Sequence, residues 1–369
     1  MDSKKIVVGL TERHGMADEQ AAFPIEHIEY RFLETKRIGH PILKSPIKGY
    51  FSRYNEDCDI VEAILSPIHT NKPWMYSLAC FQEAVAFNFK GLPIPRPIRC
   101  RYMNYLFQKP NFKNFLFWSE AGKRTISTYG RIRDENVLSK AEVVYPAIRE
   151  LESEKIKFKD KNLTILFSGD FFRKGGVNVI DAFEELQKSH FNLTLYVCSD
   201  ERIDFNTDDV NLKSETLQRI KKNNSIIFGR VPRSKMINEI LPNTDVYLLP
   251  TYDEAFGFAV LEAMAYGIPV ISTNSMAIPE MIAQGNSGYM IDISDFDCEN
   301  LFKGYYVRYL PENLRNHVTE QLCEYLDKLL GSLVERKRMG LNGVEIARSK
   351  FSLKARNDKM AELYQKAFS

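Results

Sequence analysis

The stretch TYDEAFGFAVLEAMAYGIPVIST, residues 251–273, decides the fold. It follows the apolar run DVYLLP (245–250) through a short polar loop and an Ala-Phe-Gly-Phe turn. It then continues as the helix-like FAVLEAMAY and reaches a second apolar run, PVIST, almost at once. Strand, loop, helix and strand at that pace make a βα unit of a parallel sheet. The same alternation runs outward from it, beginning near residue 163: LTILFS, VNVIDAFEELQ, NLTLYVC, ETLQRIKK, SIIFG, SKMINEIL and, downstream, IPEMIA. Several strand runs are apolar almost throughout, as strands covered on both faces are.

The first 150 residues also begin with a strand, KIVVGL, and further runs follow at IEYRFL, DIVEAIL, KPWMYSLACF, NFLFWS and AEVVYP. Only about a dozen and a half residues separate the first two, so the helix between them is short or absent. The charged stretch RELESEKIKFKDKN (149–162) reads as a linker. The expected organisation is therefore an α/β domain over 1–150, a second over 151–345, and an amphipathic tail helix over 346–369 crossing back to the first. Its apolar positions Leu353, Met360, Leu363, Tyr364 and Phe368 fall near helical spacing.

A 369-residue chain with 44% hydrophobic residues has the material for two full cores. Its net charge of +2 asks for no polyanionic partner, and nucleic acid is not expected. The cysteines Cys58, Cys80, Cys100, Cys198, Cys298 and Cys323 are scattered without CxxC spacing, which argues against zinc and for a reducing, cytoplasmic setting. No apolar run approaches the roughly 20 residues of a spanning helix. Neither a signal peptide nor an integral membrane segment is expected.

The chemistry gathers in the second half. The loop 251–254 lies at the carboxyl end of its strand, where open α/β sheets bind ligands. The helix after it offers unpaired N–H groups and a positive dipole end, and Gly257 allows close approach, so phosphate is the natural guest. Glu254 and Glu262 flank that position, roughly 10 Å apart at helical rise, and suit hydrogen bonds from sugar or ribose hydroxyls. Taken alone, the pair also fits a solvated loop residue and an exposed helix acid. A second anion seat is offered by LFSGDFFRKGGVNVI, where a strand ends at Ser168 and Gly169, and Arg173 and Lys174 precede a glycine-opened helix.

These residues carry a resemblance. EAFGFAVLEAMAYGIPVIST, followed by Ile278, Pro279, Glu280, Met281 and GNSGYMID, is similar to the signature of family-4 (group 1) retaining glycosyltransferases. FSGDFFRKGG resembles their phosphate-contacting turn, GRVPRSKM their base-contacting loop, and NFLFWSEAGKR with AEVVYPAI their last N-terminal strands. The resemblance implies the GT-B fold, two Rossmann-like domains whose parallel sheets face each other across a cleft. It implies a nucleotide-diphosphate sugar, UDP- or GDP-linked, as donor substrate, with no cofactor and no metal. It also assigns roles: Glu254 to sugar hydroxyls, Glu262 to the ribose, and Arg173 and Lys174 to the departing diphosphate. The backbone around Phe256, Gly257, Phe258 and Ala259 joins the anion site, and Arg230 and Val231 lie near the base. The chain departs from the pattern where Asp170 follows Gly169 in place of an arginine. It departs again at the end of KPWMYSLACF, where Ala79 and Cys80 stand near a missing histidine for which His69 is the substitute. The family's glycine-rich first loop is reduced to Gly9 and Gly15. The acidic doublets Asp57 to Asp59 and Asp295 to Asp297 read as chance rather than as metal motifs.

From Ala84 to Ser119 there is no Asp or Glu, while Lys90, Arg96, Arg99, Arg101, Lys109 and Lys113 alternate with aromatics from Phe87 to Trp118. Part of this stretch is core strand; the rest suits peripheral contact with anionic lipid at the inner membrane face, or equally a solvated basic loop packed by its aromatics. The expected function is sugar transfer from a nucleotide sugar to a glycan or lipid-linked acceptor. A UDP-sugar 2-epimerase and a catalytically silent nucleotide-sugar-binding subunit are the alternatives.

Overall fold

The computed structural model describes residues 5–13, 15–37, 52–54, 57–86, 94–148, 156–298 and 307–368. The chain divides into two compact units, Met1–Ala147 with Phe351–Ser369, and Ile148–Lys350.

The first unit runs β1 (Ile6–Leu10), α1 (Gly15–Ala22), β2 (Ile28–Phe32), β3 (Thr35–Arg37), β4 (Ser52–Tyr54), β5 (Ile60–Ile64) and β6 (Trp74–Leu78). It continues through α2 (Phe81–Ala84), α3 (Arg96–Gln108), β7 (Phe112–Phe117), α4 (Glu120–Thr128), α5 (Glu135–Leu138) and β8 (Ala141–Val143). Six strands make a parallel sheet in the order β2-β1-β5-β6-β7-β8, and β3 and β4 pair antiparallel beside it. As expected, the helix between the first two strands is short, at 8 residues. Every residue of β5 and β6 is buried, which is why their sequences carry almost no alternation.

Much of the acid-free stretch goes into the core of this unit. Phe107, Phe112 and Phe115 pack with ring centroids 4.5–4.7 Å apart, and Trp118 is buried with them. The basic-aromatic surface expected over 84–119 is thereby corrected to a smaller one. Among the described residues one face of α3 reaches solvent, where Ile98 is 58% and Tyr105 57% exposed with Arg101 between them. Phe87, Phe89 and Lys90 lie outside the described residues.

The second unit runs β9 (Thr164–Ser168), α6 (Gly176–Leu186), β10 (Thr194–Cys198), α7 (Val210–Lys222), β11 (Ile226–Phe228) and α8 (Arg233–Lys235), the last running on into a π-helical turn, Met236–Ile240. Then come β12 (Val246–Leu249), α9 (Phe258–Ala265), β13 (Val270–Thr273), β14 (Gly288–Ile291), α10 (Glu312–Gly331) and α11 (Leu333–Lys350). All strands are parallel, in the order β11-β10-β9-β12-β13-β14. The IPEMIA run, expected as a helix, is only a 3₁₀ turn over Ile278–Glu280.

The stretch expected as a linker over 149–162 is described from residue 156, and there it is anchored. Arg336, 2% exposed, donates through Nη2 to the Lys159 carbonyl at 2.8 Å, and Lys159 Nζ pairs with Asp245 Oδ2 at 3.0 Å. The division expected at 345/346 falls inside α11. The break comes at Phe351 and Ser352, where the Ser352 hydroxyl accepts the Ala355 N–H at 3.1 Å and starts α12 (Leu353–Phe368). Met360, Leu363 and Tyr364 of α12 join Val8, Ile60 and Met75 in one buried cluster of the first unit. Inside it the Tyr364 hydroxyl donates to Glu62 Oε2 at 3.0 Å.

Candidate functional site

In the second sheet β9 is flanked by β10 on one side and β12 on the other, so strand order reverses between β9 and β12. A crevice opens at the carboxyl ends of two such strands, because their helices leave toward opposite faces. The turns that follow β9 and β12 carry Arg173, Lys174, Asp253 and Glu254, and the structure zips them together. Lys174 Nζ forms an ion pair with Glu254 Oε2, both side chains being only 12–13% exposed. Arg173 Nη1 donates to the Asp253 carbonyl at 3.2 Å and lies 3.4 Å from its carboxylate. The backbone closes the seam, with the Tyr252 N–H donating to the Arg173 carbonyl at 3.0 Å.

Two glycines permit this approach. Gly175, at φ +78°, caps α6, and a Cβ there would lie 2.1 Å from the Pro250 carbonyl oxygen. Gly257, at φ +103°, caps α9, and a Cβ there would meet Ile278 at 2.7 Å. Neither helix has a side-chain cap; in α6 the Gly176 N–H is taken by the Phe171 carbonyl at 2.7 Å, while both helices present their positive dipole ends here. Phe256 is buried, its ring 5.0 Å from that of Phe258, and Ala259 is the second residue of α9.

Asp170, at the position where the resemblance implies an arginine, lies 3.5 Å from Arg173 Nε. Burial pushes its carboxyl up while Arg173 pulls the other way. Arg173 is thus braced by two acids, Asp170 in its own turn and Asp253 in the loop of Glu254, and Lys174 pairs with Glu254 itself. Asp253 and Tyr252 escaped the sequence reading. The Tyr252 hydroxyl is bonded to Asn178 of α6, whose Nδ2 donates to the Arg315 carbonyl at 2.8 Å and to Thr319 at 2.9 Å, so α10 steadies the turn. Adjacent cations at 173–174 and adjacent acids at 253–254 were the signal available.

Glu262 lies in α9 and is held by Arg233, whose Nη1 donates to Oε2 at 2.8 Å. Arg233 was not singled out from the sequence. It follows Arg230 and Val231 at the start of α8, so it ties that loop to Glu262; Arg230 itself is exposed and Val231 half-buried. Ser168 ends β9 with its hydroxyl 2.9 Å from the Tyr247 hydroxyl, and the Gly169 carbonyl accepts from Ser199 Oγ at 2.6 Å. Burial pushes the Tyr247 phenol well up, and the carboxylates of Glu254 and Glu262 push it further against the Ser168 bond. Both acids therefore act on the same spot above β12. Burial likewise pushes the Cys198 and Cys298 thiols up to about 11, so both stay protonated at neutral pH.

Two candidates in the first unit are corrected. Gly9 sits within β1, paired with Arg31, and a Cβ there would lie 2.7 Å from Leu33 and 2.8 Å from Cys58. It makes room for packing and is no part of a loop. His69 is exposed and follows β5, but its neighbour Thr70 accepts from Asn111 Nδ2 at 2.8 Å, and Asn111 immediately precedes β7. That places His69 toward the amino edge of the sheet, away from the end of β6. What occupies the end of β6 is Glu83, which accepts the Ala79 N–H at 2.9 Å and whose carboxyl burial pushes up to about 7. Asp59 accepts the Val7 N–H at 2.9 Å and Asp57 pairs with Arg31, both ahead of β5, so this doublet is occupied structurally. Among the described residues no cluster of His, Cys, Asp or Glu has a metal-binding arrangement.

With this geometry in place, residues 148–300 match the family model for glycosyl transferases group 1. That segment is a group 1 glycosyl transferase domain. It contains both turns of the junction, α9 and the Arg230–Arg233 loop. The chain is 31% identical over 151 residues to the lipopolysaccharide glucosyltransferase WaaG of Escherichia coli, covering 40% of this chain and 37% of that protein. It spans less than half the length of the curated relatives it matches. Among solved structures, a glycosyltransferase from Rickettsia africae superposes over 100% of both chains with a TM-score of 0.66 at 16% identity. Anabaena Alr3699/HepE, solved with UDP and glucose, covers 98% of this chain and 99% of its own, with a TM-score of 0.61 at 14% identity. The shared fold is the GT-B architecture of two α/β units on parallel sheets, and the segment that matches the group 1 model lies within the second unit.

Proposed function

We propose that the chain is a retaining glycosyltransferase that moves a sugar from a UDP- or GDP-linked donor to a glycan or lipid-linked acceptor. The observation that carries this reading is the junction at the switch point of a group 1 domain. There two glycine-capped helix starts and Lys174 meet Glu254, with Glu262 and the Arg230–Arg233 loop alongside. In this reading the diphosphate sits on the starts of α6 and α9 beside Lys174, with Arg173 adding charge through its braced position. Glu254 accepts from sugar hydroxyls and Glu262 from the ribose, while Arg230 and Val231 border the base. Fixed positive groups and dipoles stabilise the leaving charge without a metal, and the rate comes from positioning and electrostatics.

Acceptor recognition falls to the first unit in this proposal. Ile98, Arg101 and Tyr105 share one exposed face of α3, and Lys109 Nζ lies 4.8 Å over the Tyr105 ring, in a stretch free of acids. Such a face suits anionic headgroups around a lipid-linked acceptor at the inner, cytoplasmic membrane surface. No described helix is long and apolar enough to cross a membrane.

A thermal-shift panel of UDP- and GDP-sugars, followed by transfer assays and assignment of the product anomer by NMR, tests the reading. Stabilisation by one donor and transfer with the anomeric configuration kept are expected, with the rate unaffected by chelator. Donor binding without turnover on any acceptor would point to a silent subunit. Interconversion of a UDP-sugar with no acceptor present would point to an epimerase.

A further inference from the structure

The two acids that are to receive donor hydroxyls are both ion-paired within the protein, and one of the pairs is nearly desolvated. Lys174 and Glu254 are 12% and 13% exposed, whereas Arg233, which holds Glu262, is 62% exposed. Removing one partner of a buried pair leaves an uncompensated charge, which is far more costly than the pair itself. A ligand can therefore draw Lys174 away only if it also gives Glu254 a new partner. Resting on the donor reading above, a complete nucleotide sugar does both, its diphosphate engaging Lys174 and its sugar hydroxyls donating to Glu254. The nucleoside diphosphate left after transfer does only the first. Arg173 cannot take over from Lys174, being engaged by Asp170 and Asp253.

We infer that the Lys174–Glu254 ion pair is a product-release device: it opens only for a ligand carrying both diphosphate and sugar, and it re-forms when the sugar leaves, expelling the nucleoside diphosphate. Glu254 is then a specificity-determining residue against the enzyme's own product, as well as a contact for the donor sugar. The turn is built to return to the closed state. Its backbone seam, Tyr252 N–H to the Arg173 carbonyl, and the Lys174 N–H bond to the Asp170 carbonyl at 2.9 Å do not depend on the ion pair.

The test is calorimetric titration of UDP and GDP, and of the corresponding sugar donor, into the full chain. Four forms are compared: wild type, Glu254→Gln, Lys174→Met and the double variant, each first shown to melt cooperatively. Glu254→Gln is expected to bind the nucleoside diphosphate about tenfold more tightly, with stronger product inhibition of transfer, while its affinity for the nucleotide sugar rises less or falls. In the Lys174→Met background the same substitution is expected to gain nothing, since the gain runs through Lys174. An unchanged or weaker affinity of Glu254→Gln for the diphosphate overturns the inference. So does a gain of equal size in the Lys174→Met background, which would mean simple repulsion of phosphate by the carboxylate. If Glu254→Gln does not fold, Glu254→Asp, which withdraws the carboxylate by one methylene, is read in the same way. Absence of UDP and GDP binding, with or without sugar, in wild type and Glu254→Gln alike would overturn the donor reading itself, and this inference with it.

Discussion

Both units carry a six-stranded parallel sheet, yet their turns at the carboxyl ends of the strands are completed in different ways. In the first unit the described turns that follow β1 and β6 are fixed to neighbouring strands or to themselves by hydroxyl, ring and backbone contacts. The Thr11 hydroxyl after β1 accepts the Ile64 N–H at 2.9 Å, Arg13 lies 4.2 Å over the Phe32 ring, and the turn after β6 is sealed by Glu83 on the Ala79 N–H. In the second unit the turns after β9 and β12 close on each other, Arg173 to Asp253 and Lys174 to Glu254, and glycines cap the helix starts. A parallel sheet supplies the place for a ligand. An exchangeable site arises where charges are satisfied across that place by groups a ligand can replace.

The sharpest way to break this comparison is Lys174→Ala. If the junction carries the donor, transfer should fall by about 10²–10³ in kcat/KM, read from initial rates at subsaturating donor. An unchanged rate would remove the contrast between the two units.

A smaller effect is expected from Glu83, whose carboxyl burial pushes up to about 7 from an ordinary 4.5. The folded state holds a proton that the unfolded state gives up. Stability should therefore fall by about 3 kcal/mol as pH rises from about 4.5 to about 7, and then level off. Glu83→Gln should flatten that profile and raise the melting temperature at pH 8, as differential scanning fluorimetry across pH would show. If wild type and variant keep the same pH dependence, Glu83 does not seal its turn as a neutral acid.

Tyr364→Phe removes a hydroxyl from a buried carboxylate, leaving Glu62 with Gln20 at 3.2 Å. A loss of about 2 kcal/mol in urea unfolding is expected, with donor affinity unaltered, because the change lies in the first unit. The smallest effect belongs to His69→Ala, which should leave turnover and stability within error; a substantial loss of rate would return His69 to the site.

The strand and helix runs of the second unit were legible because strands covered on both faces must be apolar along their whole length, and because the Gly175 and Gly257 turns leave visible marks. Arg173, Lys174, Glu254 and Glu262 were legible as residue types suited to a nucleotide sugar. Their partners were not. Asp253 was passed over beside Glu254, and Arg233 was passed over three residues after Arg230, because partner choice depends on which turns the sheet order brings together. The first unit was harder to read for a related reason. The aromatics of residues 107–118 read in sequence as part core strand and part surface, and only burial against β6 and α3 shows how far the core extends.

By itself, then, the sequence determined the βα alternation, the family resemblance and the residue types of the site, since these follow from local periodicity and from motifs of adjacent residues. Only the tertiary structure decided that Lys174 is engaged by Glu254, that Arg173 is braced by two acids, that Gly9 lies within β1 and that His69 lies toward the amino edge of the sheet. Each of those facts depends on contacts between segments up to about 80 residues apart in the chain. Such contacts are set by strand order, which no local pattern encodes.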